Sequence, residues 1–306
     1  MTGTPSGKRS VTELGSQMRS YYGRPIVKEP VWQPEIPFYL WTGGIGGASS
    51  VLHGVARLTG NHELAKRTLL IGAAADAVSP LLLISDLGRP ERFLNMFRVF
   101  KVTSPMSVGS WILGVSGTAS ATAAALELLG LRGPMKWLAE AVSFVTGPPL
   151  ATYTGALFAN TAIPVWSEAR DELPWLFGAS ASASAGAAAL IATPAESAAP
   201  ARRAAIGGSL AALGLAELME RKLGVVGEVY KQGDAGRYGK IAKAATAAGA
   251  ALIATRGKRS RAAAALGGTL VLAGELALRW SVFRAGFQSA ADPKYTVITQ
   301  KERSRA

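Results

Sequence analysis

The chain has no cysteine. That excludes thiolate-held iron–sulfur clusters, cysteine zinc sites and disulfides. It has two histidines, His53 and His62. A di-haem cytochrome anchor would need four, and His62 lies in a polar connector, so the sequence holds no bis-histidine haem pair inside a span. Any redox metal working with this chain must sit on another subunit. Acidic residues are also scarce, 20 Asp and Glu against 33 Lys and Arg, for a net charge of +13. The basic residues flank apolar runs rather than interleaving with stacking aromatics, which argues against nucleic acid as a partner. The first 35 residues contain no apolar run, so no cleavable signal peptide is expected and the first span must direct insertion.

What is present is a set of apolar blocks separated by charge. Eight spans of about 20 residues, the length a bilayer demands, are expected at 37–57, 66–85, 106–129, 138–163, 174–192, 204–219, 241–255 and 262–283. The expected fold class is thus an all-α polytopic membrane protein, because lipid offers no partner to an unpaired backbone group. Mean hydropathy is only +0.21. The spans use Ala and Gly heavily, which lets helix backbones approach closely in lipid. The sixth and seventh runs are short and Ala-rich. The eight-span count allows two four-helix bundles, 36–166 and 167–283, between a polar N-terminal tail (1–35) and a polar C-terminal tail (284–306), both expected to be extended when alone. Counting residues at span edges with the nearer side, 22 of the 33 Lys and Arg fall on the side of the N-terminus. The positive-inside rule then places both termini and the 86–101 connector in the cytoplasm, with the protein in the plasma membrane in contact with lipid.

That connector is the most informative stretch. In DLGRPERF, Asp86 to Phe93, Gly88 and Pro90 bend and stiffen the backbone, and Asp86, Arg89, Glu91 and Arg92 project from the turn. Arg98 and Lys101 follow. Lipid phosphate contact alone does not require so constrained a loop. Asp76 lies in the middle of the second span, where a carboxylate is expensive unless neutral, paired or wet. Either a proton relay or a structural hydrogen bond to a neighbouring helix accounts for it, and Pro80 frees a backbone carbonyl nearby. Tyr153 sits in the fourth span after Gly147, Pro148 and Pro149, which are expected to break the helix and line a cavity. A phenol there can donate to a carbonyl or bond across helices. Glu275 and Arg279, spaced i,i+4, are expected to pair. Glu127, Glu140, Glu217 and Glu220 read as surface or snorkelling groups, His53 as a backbone-bonded histidine, and the glycines of 43–47 as a helix-packing surface.

Taken together, WTGGIGGASS in the first span, SPLLLISDLGRPERFLNMFRVFKVTSPMSVGSW, PPLATYTGALF and ELALRWSVFRAG resemble the NrfD family, the membrane subunits of polysulfide-reductase-type complexes. The match is dense over 36–166 and patchy beyond. The resemblance implies two four-helix bundles without haem or cluster, and a quinone, with menaquinone expected first, bound near one membrane face. A four-cluster ferredoxin-like iron–sulfur subunit docks on that face. A molybdenum or tungsten catalytic subunit, formate dehydrogenase-like or similar, completes the complex. Tyr153 matches the tyrosine that contacts a quinone carbonyl, and the Asp86–Arg92 turn matches the loop beside that site. In this picture Arg89 steadies negative charge on the quinone oxygen and Asp76 relays protons. Arg89, Arg92, Arg98 and Lys101 meet the partner. The sequence departs from the family at Phe38 and Pro34, where a histidine and an asparagine help hold the quinone, and Trp41 is a candidate to substitute by stacking. Redox-coupled proton translocation, a purely structural anchor and a transporter remain the alternatives.

Overall fold

A computed structural model describes residues 25–303. Every regular element among them is helical. Eight helices run 20 residues or more: α1 (Glu35–Leu58), α2 (His62–Asp86), α3 (Pro105–Leu128), α4 (Pro134–Ala159), α6 (Leu173–Ala192), α7 (Ala199–Lys222), α8 (Gly233–Arg256) and α9 (Arg261–Ala291). The short α5 (Pro164–Glu168) and the terminal α10 (Pro293–Arg303) complete the set, with 3₁₀ turns at Pro90–Phe97 and Val226–Lys231. Three of the long helices, α2, α6 and α9, are apolar and long enough to cross a membrane by composition. In α7 and α8 charged residues interrupt the apolar run.

Local chemistry sets the helix ends. Asn61 Oδ1 accepts the Leu64 N–H at 3.1 Å, Ser104 Oγ that of Ser107 at 3.4 Å and Ser260 Oγ that of Ala263 at 3.2 Å. Pro105 and Pro134 open α3 and α4, where the missing N–H would be unpaired anyway. The sixth and seventh apolar runs form longer helices than their hydropathy suggested, 24 residues each. Residues 284–303 are not an extended tail: α9 continues to Ala291 and α10 follows. Burial explains this, since Ala285, Ser289, Ala290 and Tyr295 are all buried. Residues 1–24 of the expected N-terminal tail lie outside the described residues.

Helices α1–α4 pack on one another, and so do α6–α9. Helix α1 also lies against α6 and α9, joining the two groups. Small residues make the close crossings. At the α1–α4 crossing a Cβ on Gly47 would stand 2.5 Å from the Gly147 carbonyl oxygen, and one on Gly147 would stand 2.6 Å from that of Gly47. Both positions exclude any side chain. Between the groups, Trp166 of α5 is fully buried, donates Nε1–H to the Val282 carbonyl at 2.8 Å, and meets Phe158 edge-on at 4.3 Å.

The prolines of α4 do not break it. The helix is continuous from Pro134 to Ala159 with Pro148 and Pro149 inside. Two prolines in succession withhold two N–H donors, from the Phe144 and Val145 carbonyls, while packing against α1 holds the helix together.

Candidate functional site

Four helix ends converge at the face that carries the start of α1. The Gln33 N–H donates to Asp86 Oδ1 at 2.8 Å, tying the entrance of α1 to the exit of α2. The start of α3 and the end of α4 close the ring. Inside it lies a cavity of about 50 Å³. Tyr39 and Tyr153, both buried, meet hydroxyl to hydroxyl there. Tyr39 comes from α1 and Tyr153 from α4. Asp86 and Ser110 add polar atoms to the wall, Trp32 an indole, and Met96 and Met106 thioether side chains.

Tyr153 can occupy this place because of Gly109. A Cβ at that position of α3 would run into the Tyr153 ring. The glycine is a seat for the aromatic rather than a hinge.

The 86–104 connector is folded back on α3. Gly88 takes φ +65°, a left-handed turn that only glycine adopts freely. The 3₁₀ turn Pro90–Phe97 follows. Ser107 Oγ donates to the Val99 carbonyl at 2.9 Å and accepts the Lys101 N–H at 3.0 Å. Phe97 and Phe100 both lie edge-on to Trp111. Ser110 Oγ reaches Met96 Sδ at 3.6 Å. Arg89, Arg92, Arg98 and Lys101 are exposed on this pinned loop, and none of them lines the cavity.

The other site residues from the sequence fall as follows. Trp41 and Phe38 lie off the cavity wall, with Phe38 edge-on to Trp280 of α9 at 5.9 Å. Asp76 is buried in the core of the first four helices. Its Oδ2 accepts from Ser120 at 2.6 Å, its Oδ1 has no hydrogen-bond partner among the described residues, and Gly46 packs directly on it. Tyr39, Trp32, Met96, Met106 and Ser110 were not singled out from the sequence.

Glu275 and Arg279 do not close the expected ion pair. Glu275 Oε1 accepts from Thr246 at 3.1 Å, while Arg279 donates to the Phe177 carbonyl at 3.1 Å and lies 3.7 Å over that residue's ring. Glu140 is not a snorkelling group either. It is buried between His53, Arg57 and Lys136. His53 bonds backbone as expected, through Nδ1 to the Ala65 carbonyl at 2.8 Å.

Beyond the end of the sixth apolar run, Lys222 meets Glu172 at 2.6 Å, and that carboxylate lifts the ammonium above the usual lysine range. In the Val226–Lys231 turn, burial pushes the Tyr230 phenol above its ordinary range, with Glu220 adding to the effect.

A quinone is a planar ring with two carbonyl acceptors. The wall of the tyrosine cavity supplies hydroxyl donors, an indole and flexible apolar side chains, so its chemistry suits such a ring. At about 50 Å³ it holds a water or two as it stands. The two methionines are the adaptable part of the wall and would have to swing to admit a ring. Among the described residues no group of three His, Asp or Glu could hold a metal ion.

No curated protein matches the chain. A family model described as polysulfide reductase matches residues 18–292. That span holds all eight long helices, the pinned connector and both tyrosines, and the chain belongs to the polysulfide reductase family of NrfD-type membrane proteins.

Proposed function

We propose that this chain is a haem-free, quinone-reactive membrane subunit that passes electrons between a docked iron–sulfur subunit and the quinone pool. The observation that carries the reading is the tyrosine cavity directly beside the exposed basic connector. One feature would receive the quinone, and the other would hold its redox partner within reach. The partner expected is a four-cluster ferredoxin-like subunit, with a molybdenum or tungsten enzyme beyond it and menaquinone in the membrane. The eight long helices would all span the plasma membrane as two bundles, 36–166 and 167–283, with the cavity face in the cytoplasm.

A bound quinone would accept two electrons and two protons. The residues of this chain orient and protonate. Only one hydroxyl of the Tyr39–Tyr153 contact can donate within it, so the other tyrosine's proton is available to a carbonyl in the cavity. Asp86 is the nearest carboxylate in the wall. Arg89 and Arg92 contribute positive potential at the rim. The test is tryptophan-fluorescence titration of the purified protein with a menaquinone analogue, since Trp32 is in the wall. Wild-type protein should be quenched saturably. If Tyr153→Phe and Asp86→Asn both titrated like wild type, the quinone would have to bind elsewhere.

A ladder of polar groups supports a second reading, coupled proton movement. Tyr39, Thr42, Gly46, Ser50 and His53 form one stripe on α1, spaced by three or four residues. Along it Thr42 meets Ser79 at 2.8 Å, Asp76 packs on Gly46 and meets Ser120, and Ser50 meets Ser143 at 2.7 Å. His53 and Glu140 stand at its far end. Net proton translocation by the complex in liposomes, abolished in Asp76→Asn, would establish this reading. Turnover without translocation would dismiss it.

A further inference from the structure

A polar cavity lies at the opposite end of the first four helices from the tyrosine pair. It encloses about 450 Å³ between the end of α1, the start of α2, the α3–α4 turn and the start of α4. Four permanent cations, Arg57, Lys66, Arg132 and Lys136, face two carboxylates, Glu127 and Glu140. The carboxylates are already matched. Lys136 pairs with Glu127 and stands 3.6 Å from Glu140, which Arg57 Nε also approaches at 3.4 Å. Lys66 and Arg132 make no ion pair within 4 Å among the described residues, although Lys66 adds to the field on Glu127, and four cations against two carboxylates leave the cavity a net charge of two positive.

His53 is the second observation. It is 2 % exposed. A carbonyl oxygen can only accept, so Nδ1 gives its proton to Ala65. Nε2, left as an acceptor, and Glu140 Oε1 stand 3.6 Å apart without a hydrogen-bond partner among the described residues, so the pair lacks a donor that a hydroxyl on the bound ligand would supply. Buried polar atoms in native proteins are satisfied by protein, water or ligand. The first turns of α2 and α4, through His62, Lys66, Gly133 and Lys136, both border the cavity. Each presents the positive end of a helix dipole to the same space. At its edge Trp137 is 68 % exposed, an indole placed where a membrane interface would hold it.

We propose that this cavity binds a phosphate group, gripped by Lys66 and Arg132 over His53. Arginine matches phosphate bidentately, and lysine adds a point charge. The phosphate could be carried on an anionic phospholipid or come free from solution, and the same experiment separates the two. The full-length protein, purified in a neutral detergent, is melted in the presence of inorganic phosphate, of phosphatidylglycerol, and of phosphatidylcholine as the zwitterionic comparison. The variants are Lys66→Ala/Arg132→Ala, His53→Gln and an Arg237→Ala control. Lys66 and Arg132 are exposed, so the double variant should fold. The proposal requires that phosphatidylglycerol or inorganic phosphate raise the melting temperature of wild type and of Arg237→Ala. The double variant should need about tenfold or more ligand for the same shift, the loss expected for charge-assisted bonds. His53→Gln should be intermediate. Protection by phosphatidylglycerol alone identifies a lipid headgroup, and equal protection by inorganic phosphate identifies a water-borne anion. If neither protects, or protection is unchanged in the double variant, the cavity is not a phosphate site.

Discussion

The hydroxyl of Tyr39 on the first helix rests against the hydroxyl of Tyr153 on the fourth, 114 residues later in the chain. Two phenols in contact share one hydrogen between them, so the pair behaves as one donor aimed into the cavity. Removing Tyr153 should weaken menaquinone-analogue binding about tenfold, close to the worth of one hydrogen bond. Tyr39→Phe should weaken it less, because Tyr153 can still donate. The double variant should be no worse than Tyr153→Phe. Fluorescence titration of the three proteins forms a double-mutant cycle, and strictly additive losses would show that the two hydroxyls act separately.

Gly109 should behave as part of the same site although it has no side chain. A methyl there meets the Tyr153 ring. Gly109→Ala is expected to cost about 1–3 kcal/mol of stability, the usual range for overpacking, and to lower quinone affinity as Tyr153→Phe does. A thermal melt together with the titration checks both. Normal affinity in a destabilised protein would mean that the ring's position does not matter for binding.

The helices and half of the cavity were legible in the sequence. Apolar blocks of bilayer length gave the long helices, and the unusual turn at Asp86–Arg92 marked the connector. Tyr153 stood out beside its glycine and prolines. What could not be read depended on contacts far apart in the chain. Nothing local says that Tyr39 meets Tyr153, or that Met96 and Met106 close the wall. Glu140 has the sequence context of a surface acid. It is buried only because His53 and Arg57 of the first helix reach it alongside Lys136 from its own. The Pro148–Pro149 pair shows the same dependence. Two lost backbone bonds predict a break in an isolated helix, but the Gly47–Gly147 crossing clamps this one against α1.

The exposed cations of the connector should govern partner docking rather than quinone binding. Arg89→Glu with Arg92→Glu is expected to lower the association rate of the iron–sulfur subunit about tenfold or more at low salt, with the difference shrinking as ionic strength rises. Surface plasmon resonance against the partner that co-purifies with the wild type would measure it. Quinone titration should be unchanged, since neither side chain lines the cavity. A salt-independent loss would point to a misfolded loop instead.

Asp76 tests whether the polar stripe carries protons or only holds helices together. Asparagine has the same shape and can still accept from Ser120, so Asp76→Asn should melt at or above the wild-type temperature. Ser120→Ala, which strips the carboxylate of the partner in its 2.6 Å hydrogen bond, should cost about 1–3 kcal/mol. Asp76 does not line the tyrosine cavity, so quinone affinity should be unaffected in Asp76→Asn. Quinone turnover by the assembled complex should nevertheless fall by about 10²-fold if the carboxylate exchanges protons with the site. Turnover in Asp76→Asn separates the roles: a purely structural aspartate keeps it, whereas a relay loses it at unchanged stability. Full turnover in a stable Asp76→Asn complex would leave Ser120 as the only purpose of this carboxylate and send the protons through the cavity mouth at Asp86.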